Sequence, residues 1–365
     1  MPMCRRLNKS AENKGIRMKR KILIIVNSLS VNGILRYLAL VLGKIDLDRA
    51  DVTLYVRRPA GGFLEPIDER INIVHKKNKR QKVKRELRHY FKKVEYDAAI
   101  SFSQGEALYL LKHINAKEKY LFWYRINTET ACDFDFIDKI ITAGINSKSV
   151  LEALCPQYEN KIDIIEGYID IEALRQRAMP SIPKAYSPIL ISTLGRVTGT
   201  KGFDLAIKAA AVLADKGLDF EWYFIGDDEE SEELKKLIEI NNVGDKIVIK
   251  GKMENPYPYI GHSDIYVQPS REESMAFSIK EALALCKPVV ATRTVASIEC
   301  ISHGLTGVLT EPDENAIAMG ILKYCEDTAF KERILQNLKF TDYTEKERVF
   351  TEKWQALING RTFSK

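Results

Sequence analysis

Short apolar runs alternate with helix-period segments along almost the whole chain, and a proline-rich break interrupts the alternation near its middle. Before the break, strand-like runs cover residues 21–28, 51–57, 71–75, 97–102, 120–124, 139–144 and 161–167. After it they cover 188–195, 220–226, 246–251, 265–270, 288–292 and 307–311. Helical patterns lie between them, among them 33–45, 202–217 and 278–285. Strand and helix in alternation imply parallel sheets covered by helices. Pro180, Pro183 and Pro188 mark the break, because proline removes a backbone donor and fixes φ. The expected fold is α/β, with two Rossmann-like domains, 19–180 and 187–340. An amphipathic helix within 343–360 is expected to pack back on the first domain. Ligands of such folds bind where the strands' C-terminal ends converge.

Length and composition agree with two packed domains. The chain has 365 residues, 45% of them hydrophobic and 29% charged, with a net charge of +6. No apolar run approaches the length of a membrane span. Residues 1–18 are basic and polar and lack the apolar centre of a signal peptide. They are expected to form a disordered extension, and the protein is expected to be cytoplasmic. The six cysteines show no C-x-x-C spacing and no histidine at zinc-ligand spacing. Reduced thiols are expected, with neither disulfide nor structural zinc.

Residues 265–314 carry most of the chemistry. A strand ends at Pro269-Ser270, Glu273 follows, and Ser274, Met275, Ala276, Phe277 and Ser278 form a turn into a helix that holds Glu281. Exposed N–H groups at such a helix start, together with the helix dipole, favour a diphosphate. The next strand reads Cys286-Lys287-Pro288-Val289-Val290-Ala291. Upstream, Arg196 and Lys201 lie in a glycine-rich loop behind the strand at 188–195. Arginine offers a bound anion a planar fork and lysine a mobile point charge. Gly226 ends another strand and lets backbone approach a ligand.

This frame resembles the donor-binding region of the retaining glycosyltransferases of family 4, which share the two-domain GT-B fold. The likeness is closest over residues 188–312. It implies a nucleotide-sugar donor, with Glu281 on the ribose, Glu273 on the transferred sugar, and Arg196 and Lys201 on the diphosphate. It implies backbone contacts to the base near Lys250–Met253. On the acceptor side, Asn32-Gly33-Ile34-Leu35-Arg36 resembles the family's Gly-Gly-x-x-Arg, with asparagine for one glycine. Trp123-Tyr124-Arg125 resembles the strand end of a surface-polysaccharide subgroup, with Arg125 where that subgroup has histidine. Asn32, Gly33, Arg36 and Arg125 are therefore the acceptor-side residues expected. The resemblance implies retaining transfer to a glycan or lipid-linked acceptor in bacterial cell-surface polysaccharide synthesis, such as capsule or lipopolysaccharide.

No cofactor and no essential metal is expected, since Asp133-Phe134-Asp135 and Asp46-Leu47-Asp48 do not follow strand ends as a metal motif requires. Residues 75–94 carry ten Lys and Arg against one Glu. Positions 76–93 are a footing for anionic lipid or simply a solvated basic helix. Nucleic acid is not an expected partner, because no recognisable motif or aromatic interleaving accompanies the charge. Two other readings stay open at this level: a non-catalytic subunit that keeps the donor fold, and a nucleotide-sugar epimerase.

Overall fold

The computed structural model describes residues 19–29, 33–61, 67–75, 85, 91, 94–124, 133–182, 189–226 and 231–361. The expected 1–18 extension, Asn32 and Arg125 lie outside these residues, as does nearly all of 76–93.

Two parallel sheets organise the described chain. The first contains β1 (Arg20–Leu29), β2 (Ala50–Gly61), β3 (Asn72–His75), β4 (Tyr96–Ser101), β5 (Ala116–Trp123), β6 (Lys139–Thr142) and β7 (Ile162–Ile164), in spatial order β3-β2-β1-β4-β5-β6-β7. The second contains β8 (Ile189–Leu194), β9 (Phe220–Ile225), β10 (Ile247–Gly251), β11 (Ile265–Gln268), β12 (Val289–Thr292) and β13 (Val308–Thr310), in order β10-β9-β8-β11-β12-β13. Helices α1 (Gly33–Lys44), α2 (Glu106–His113), α3 (Ile145–Leu154) and α4 (Ile171–Ala178) accompany the first sheet in sequence. Then follow α5 (Phe203–Asp215), α6 (Ser231–Ile240), α7 (Tyr257–His262), α8 (Phe277–Ala284) and α9 (Val295–Cys300), with α10 (Glu314–Glu326), α11 (Thr328–Lys339) and α12 (Thr344–Ile358) closing the chain. Among the described residues no helix is long and apolar enough to cross a membrane.

Every apolar run singled out in the sequence forms a strand. Ile22 to Ile25 are fully buried, so β1 is covered on both faces and reads as a continuous apolar run rather than an alternating one. β5 starts earlier than its apolar centre suggests. Its polar start pairs Ala116 with Tyr96, and Lys117 and Glu118 are held by Asp97 (2.7 Å) and Arg20 (2.5 Å). Cys155 is disulfide-bonded, which corrects the expectation of reduced thiols throughout; Cys286, Cys300 and Cys325 are free. Sequence spacing is blind to cysteines that the fold brings together.

The last helix returns to the first sheet. Trp354 of α12 is fully buried, stacks on Phe102 at 5.7 Å, and donates its indole N–H to the Tyr37 hydroxyl (3.1 Å). Tyr37 donates in turn to the Ile165 carbonyl (2.6 Å), and burial raises its pKa. Lys44 of α1 pairs with Glu347 of α12 at 2.6 Å.

Candidate functional site

In each sheet the strand order reverses beside the first strand. The switch points lie between β1 and β4 in the first sheet and between β8 and β11 in the second. At such a point the flanking loops diverge and leave a crevice beyond the strands' C-terminal ends. The loops behind β8 and β11 carry Arg196, Lys201, Glu273 and the turn into α8.

Glu273 is 9% exposed and held from two sides. Lys201 Nζ donates to its Oε1 at 2.5 Å, and Ser270 Oγ donates to the same oxygen at 2.9 Å. Behind Ser270 runs a buried relay. Gln268 Nε2 donates to Ser270 Oγ (2.9 Å), while Tyr266 OH (2.6 Å) and Ser278 Oγ (2.9 Å) both donate to Gln268 Oε1. A relay with its donors and acceptors matched fixes the carboxylate's orientation. The lysine loop is fastened to the same place. Arg271 grips Asp204 through two bonds of 2.7 and 2.6 Å, and its N–H donates to the Thr200 carbonyl. Gly202 has φ 69°, and a Cβ there would fall 2.0 Å from the Pro269 carbonyl, so only glycine permits this approach.

The turn before α8 places Met275, Ala276 and Phe277 in buried positions and Ser274 and Ser278 at half-buried ones. Ala276 precedes the helix with φ 47° and ψ 41°, the left-handed region. Alanine seldom adopts it, because its Cβ crowds the carbonyl. The tight entry is nonetheless made, and α8 starts one residue earlier than the expected Ser278.

Glu281 lies further along α8, 5% exposed. Its Oε1 accepts from Arg36 Nη1 (2.7 Å) and from Tyr257 OH (2.9 Å); Arg36 Nη2 also reaches Tyr257 OH at 3.2 Å. Glu281 Oε2 is buried without a hydrogen-bond partner among the described residues. Arg36 comes from α1, so a residue expected on the acceptor side meets the donor-side carboxylate directly. The Tyr257 pKa is raised by burial and by Glu281 beside it. Gly33, at the start of α1, packs on Met275; a Cβ there would lie 3.1 Å from Met275 Cε. Tyr257 was not singled out in the sequence, where it is one aromatic in a Tyr-Pro-Tyr run with no motif to mark it.

Arg196 is exposed and makes no hydrogen bond or ion pair among the described residues. Gly226 has φ 155°, and a Cβ on it would lie 1.7 Å from the Gly195 carbonyl. The loops behind β8 and β9 therefore touch backbone to backbone. The two Asp-x-Asp sequences are engaged in the surrounding structure. Asp133 pairs with Lys112, Tyr158 donates to Asp135, and Asp46 and Asp48 pair with Arg49 and Arg70.

A second contact joins the two halves. Glu299 of α9 accepts from the Asn146 N–H at the start of α3 (2.5 Å), and a Cβ on Gly144 would lie 1.9 Å from its Oε2. A carboxylate at a helix N-terminus satisfies free N–H groups and meets the positive end of the dipole. Burial, the largest influence, still raises the Glu299 pKa. Its contribution to stability is therefore greatest below the unfolded value, about 4.3, and declines as pH rises through the higher folded value. Glu299→Gln keeps an acceptor oxygen and removes the charge. Urea midpoints from pH 4 to 7 should show a flatter profile for this variant; an unchanged profile would place the raised pKa elsewhere.

Comparison with known proteins agrees with this geometry. Residues 175–339 match the family model described as glycosyl transferases group 1. An uncharacterized glycosyltransferase of Methanocaldococcus jannaschii is 24% identical over 263 residues, covering 62% of this chain and 64% of that one. The N-acetylgalactosamine-N,N'-diacetylbacillosaminyl-diphospho-undecaprenol 4-alpha-N-acetylgalactosaminyltransferase of Campylobacter jejuni is 29% identical over 187 residues, half of each chain. The chain thus spans between half and two thirds of the length of these two curated relatives. Among solved structures, Anabaena HepE in complex with UDP-glucose superposes with a TM-score of 0.71 at 18% identity, over 93% of this chain and 98% of that one. The fold is the GT-B fold shared with this solved structure, and the match to glycosyl transferases group 1 lies on the half of the chain that holds Lys201, Glu273 and Glu281.

Proposed function

We propose that the protein is a retaining glycosyltransferase that moves a sugar from a nucleotide-diphosphate donor to a glycan or lipid-linked acceptor in bacterial cell-surface polysaccharide synthesis. In this reading 187–340 is the donor domain and 19–180 the acceptor domain. The observation that carries it is the convergence of Lys201, Glu273 and the start of α8 at the second sheet's switch point. The Campylobacter relative's name specifies a diphospho-undecaprenol acceptor, and the HepE structure holds UDP-glucose. Both favour the reading.

The chemistry follows from the groups present. Arg196 and Lys201 meet the diphosphate, with the α8 N-terminus as a third positive partner. Lys201 is already charge-paired, so it exchanges part of its contact with Glu273 for phosphate oxygens. Glu273, freed on one side and still held by Ser270, turns a lone pair to the hydroxyls of the transferred sugar. Glu281 offers its unpaired Oε2 to the ribose. The acceptor hydroxyl attacks on the face from which the phosphate departs, and that phosphate takes the proton. No metal is required in this scheme, and no protein nucleophile. The protein works at the cytoplasmic membrane face, to which the basic residues 76–93 attach it.

The test is a melting panel of uridine and guanosine diphosphate sugars against wild type and an Arg196→Ala/Glu281→Ala double variant. Binding to the folded state alone adds RT ln(1 + [L]/Kd), about 2.7 kcal/mol at roughly a hundredfold excess over Kd. One nucleotide class should raise the melting temperature of wild type and not of the double variant. A panel with no shift would shift the reading to a non-catalytic binding subunit.

A further inference from the structure

Four contacts run from the first half of the molecule onto α8 and the turn before it. Arg36 of α1 donates to Glu281 Oε1 at 2.7 Å. Gly33, at the start of the same helix, packs on Met275. Gly167, in the loop behind β7, lies against the first residue of α8; a Cβ on it would stand 3.1 Å from Phe277 Cζ. Glu166 beside it pairs with Lys280 at 3.3 Å. The helix start and the carboxylate behind it are therefore both covered from across the molecule.

The cover is close to complete. Met275, Ala276, Phe277 and Glu281 are all buried. Glu281 Oε1 is taken by two donors, and Oε2 is out of solvent with no partner among the described residues. Leaving a buried carboxylate oxygen unmade is costly, and folded proteins rarely tolerate it without a use. Arg36, Tyr257 and Glu281 close a triangle, since Arg36 Nη2 reaches Tyr257 OH (3.2 Å) and that hydroxyl donates to Oε1 (2.9 Å). Arg36 alone of the three comes from the first half. Its side chain is 21% exposed against 6% for Glu281, so it is the outer member of the pair. When Arg36 lets go, the Tyr257 hydroxyl still holds Oε1, and Oε2 is left to accept from a ligand hydroxyl. Burial works against the charge on Arg36, but Glu281 and Tyr257 more than offset it and hold its pKa above the ordinary value. The release is therefore a movement and not a titration.

We propose that Arg36 is an autoinhibitory latch: it holds the donor site shut against the first half, and a nucleoside diphosphate binds only after Arg36 releases Glu281. The class of ligand rests on the glycosyltransferase reading, which gives Glu281 to the ribose. Nucleotide and arginine compete for one carboxylate, so each weakens the other by the same factor. A latch released about a tenth of the time raises the apparent Kd about tenfold.

Isothermal titration of the full chain with UDP and with GDP reads this competition. Arg36→Met keeps an unbranched stem and removes the fork. The nucleotide that binds wild type should bind this variant about tenfold more tightly. Arg36→Lys serves if methionine does not fold; it keeps a cation without the planar fork, and binding should tighten by a smaller factor. In wild type, the association rate of a fluorescent N-methylanthraniloyl nucleotide should level off with concentration, because release precedes binding. Equal or weaker binding in the variant would make the arginine a support for Glu281 and overturn the latch, with the glycosyltransferase reading intact. A rate that stays linear in nucleotide would overturn it too. No binding of either nucleotide, to wild type or variant, sinks the glycosyltransferase reading and the latch with it.

Discussion

Lys201→Ala lowers kcat by about 10²–10³-fold, the usual effect of removing one preorganised donor from a site where charge develops. The cause is local. Lys201 Nζ lies 2.5 Å from Glu273 Oε1 and within the crevice where the diphosphate is expected. Once the lysine is gone, the leaving phosphate loses a cation as its charge grows. Glu273, 9% exposed, keeps the Ser270 hydroxyl as the one remaining donor to that oxygen among the described residues. Lys201→Arg restores charge but not shape, and recovers part of the rate. Steady-state kinetics at saturating donor distinguishes a transition-state loss from weaker binding, because the former lowers kcat and kcat/KM together. A Lys201→Ala protein turning over at the wild-type rate would remove the lysine from the mechanism.

The second large effect concerns stability. Arg36→Ala is expected to cost about 3–5 kcal/mol, the range for leaving one member of a buried ion pair behind. Glu281 is buried, and among the described residues its Oε2 already lacks a partner and its remaining support without Arg36 is the Tyr257 hydroxyl. Urea unfolding monitored by tryptophan fluorescence reads the loss. The decisive control is Arg36→Ala combined with Glu281→Gln. If the stranded charge is the cause, the double variant recovers much of the stability, a coupling that independent sites do not show. Equal instability in both would assign the loss to the packing of the arginine stem.

Much of the molecule is legible in the sequence because it rests on local rules. The central strands are apolar on both faces, and the break between the halves is written in prolines. Glu273, Glu281 and Lys201 stand out because the frame around them resembles a glycosyltransferase family's donor region. What the sequence hides is long-range or negative. Arg36 and Glu281 are 245 positions apart, and nothing local announces their meeting. Tyr257 carries no motif, and its importance appears only as a hydroxyl 2.9 Å from Glu281. Ala276 shows the opposite failure. A left-handed position before a helix is usually glycine, so alanine conceals the backbone conformation of a turn whose place the sequence does show. The Cys155 bond was invisible for the same reason as the Arg36 contact.

The docking of α12 on the first sheet has a consequence for how the protein is made. Trp354 and Tyr37 are 317 residues apart, yet they share one hydrogen bond and one aromatic seam with Phe102 and Phe350. On the ribosome, chains emerge at roughly 5–20 residues per second, and domains generally fold as they appear. Here the half that emerges first cannot close its own core. Its aromatic seam stays uncovered throughout synthesis of the second half, and is sealed only once α12 has emerged. A nascent chain stalled or clipped after α11 would carry a finished second sheet and an unfinished first one. Quality control by chaperones and proteases would therefore act on the half that was made before the other.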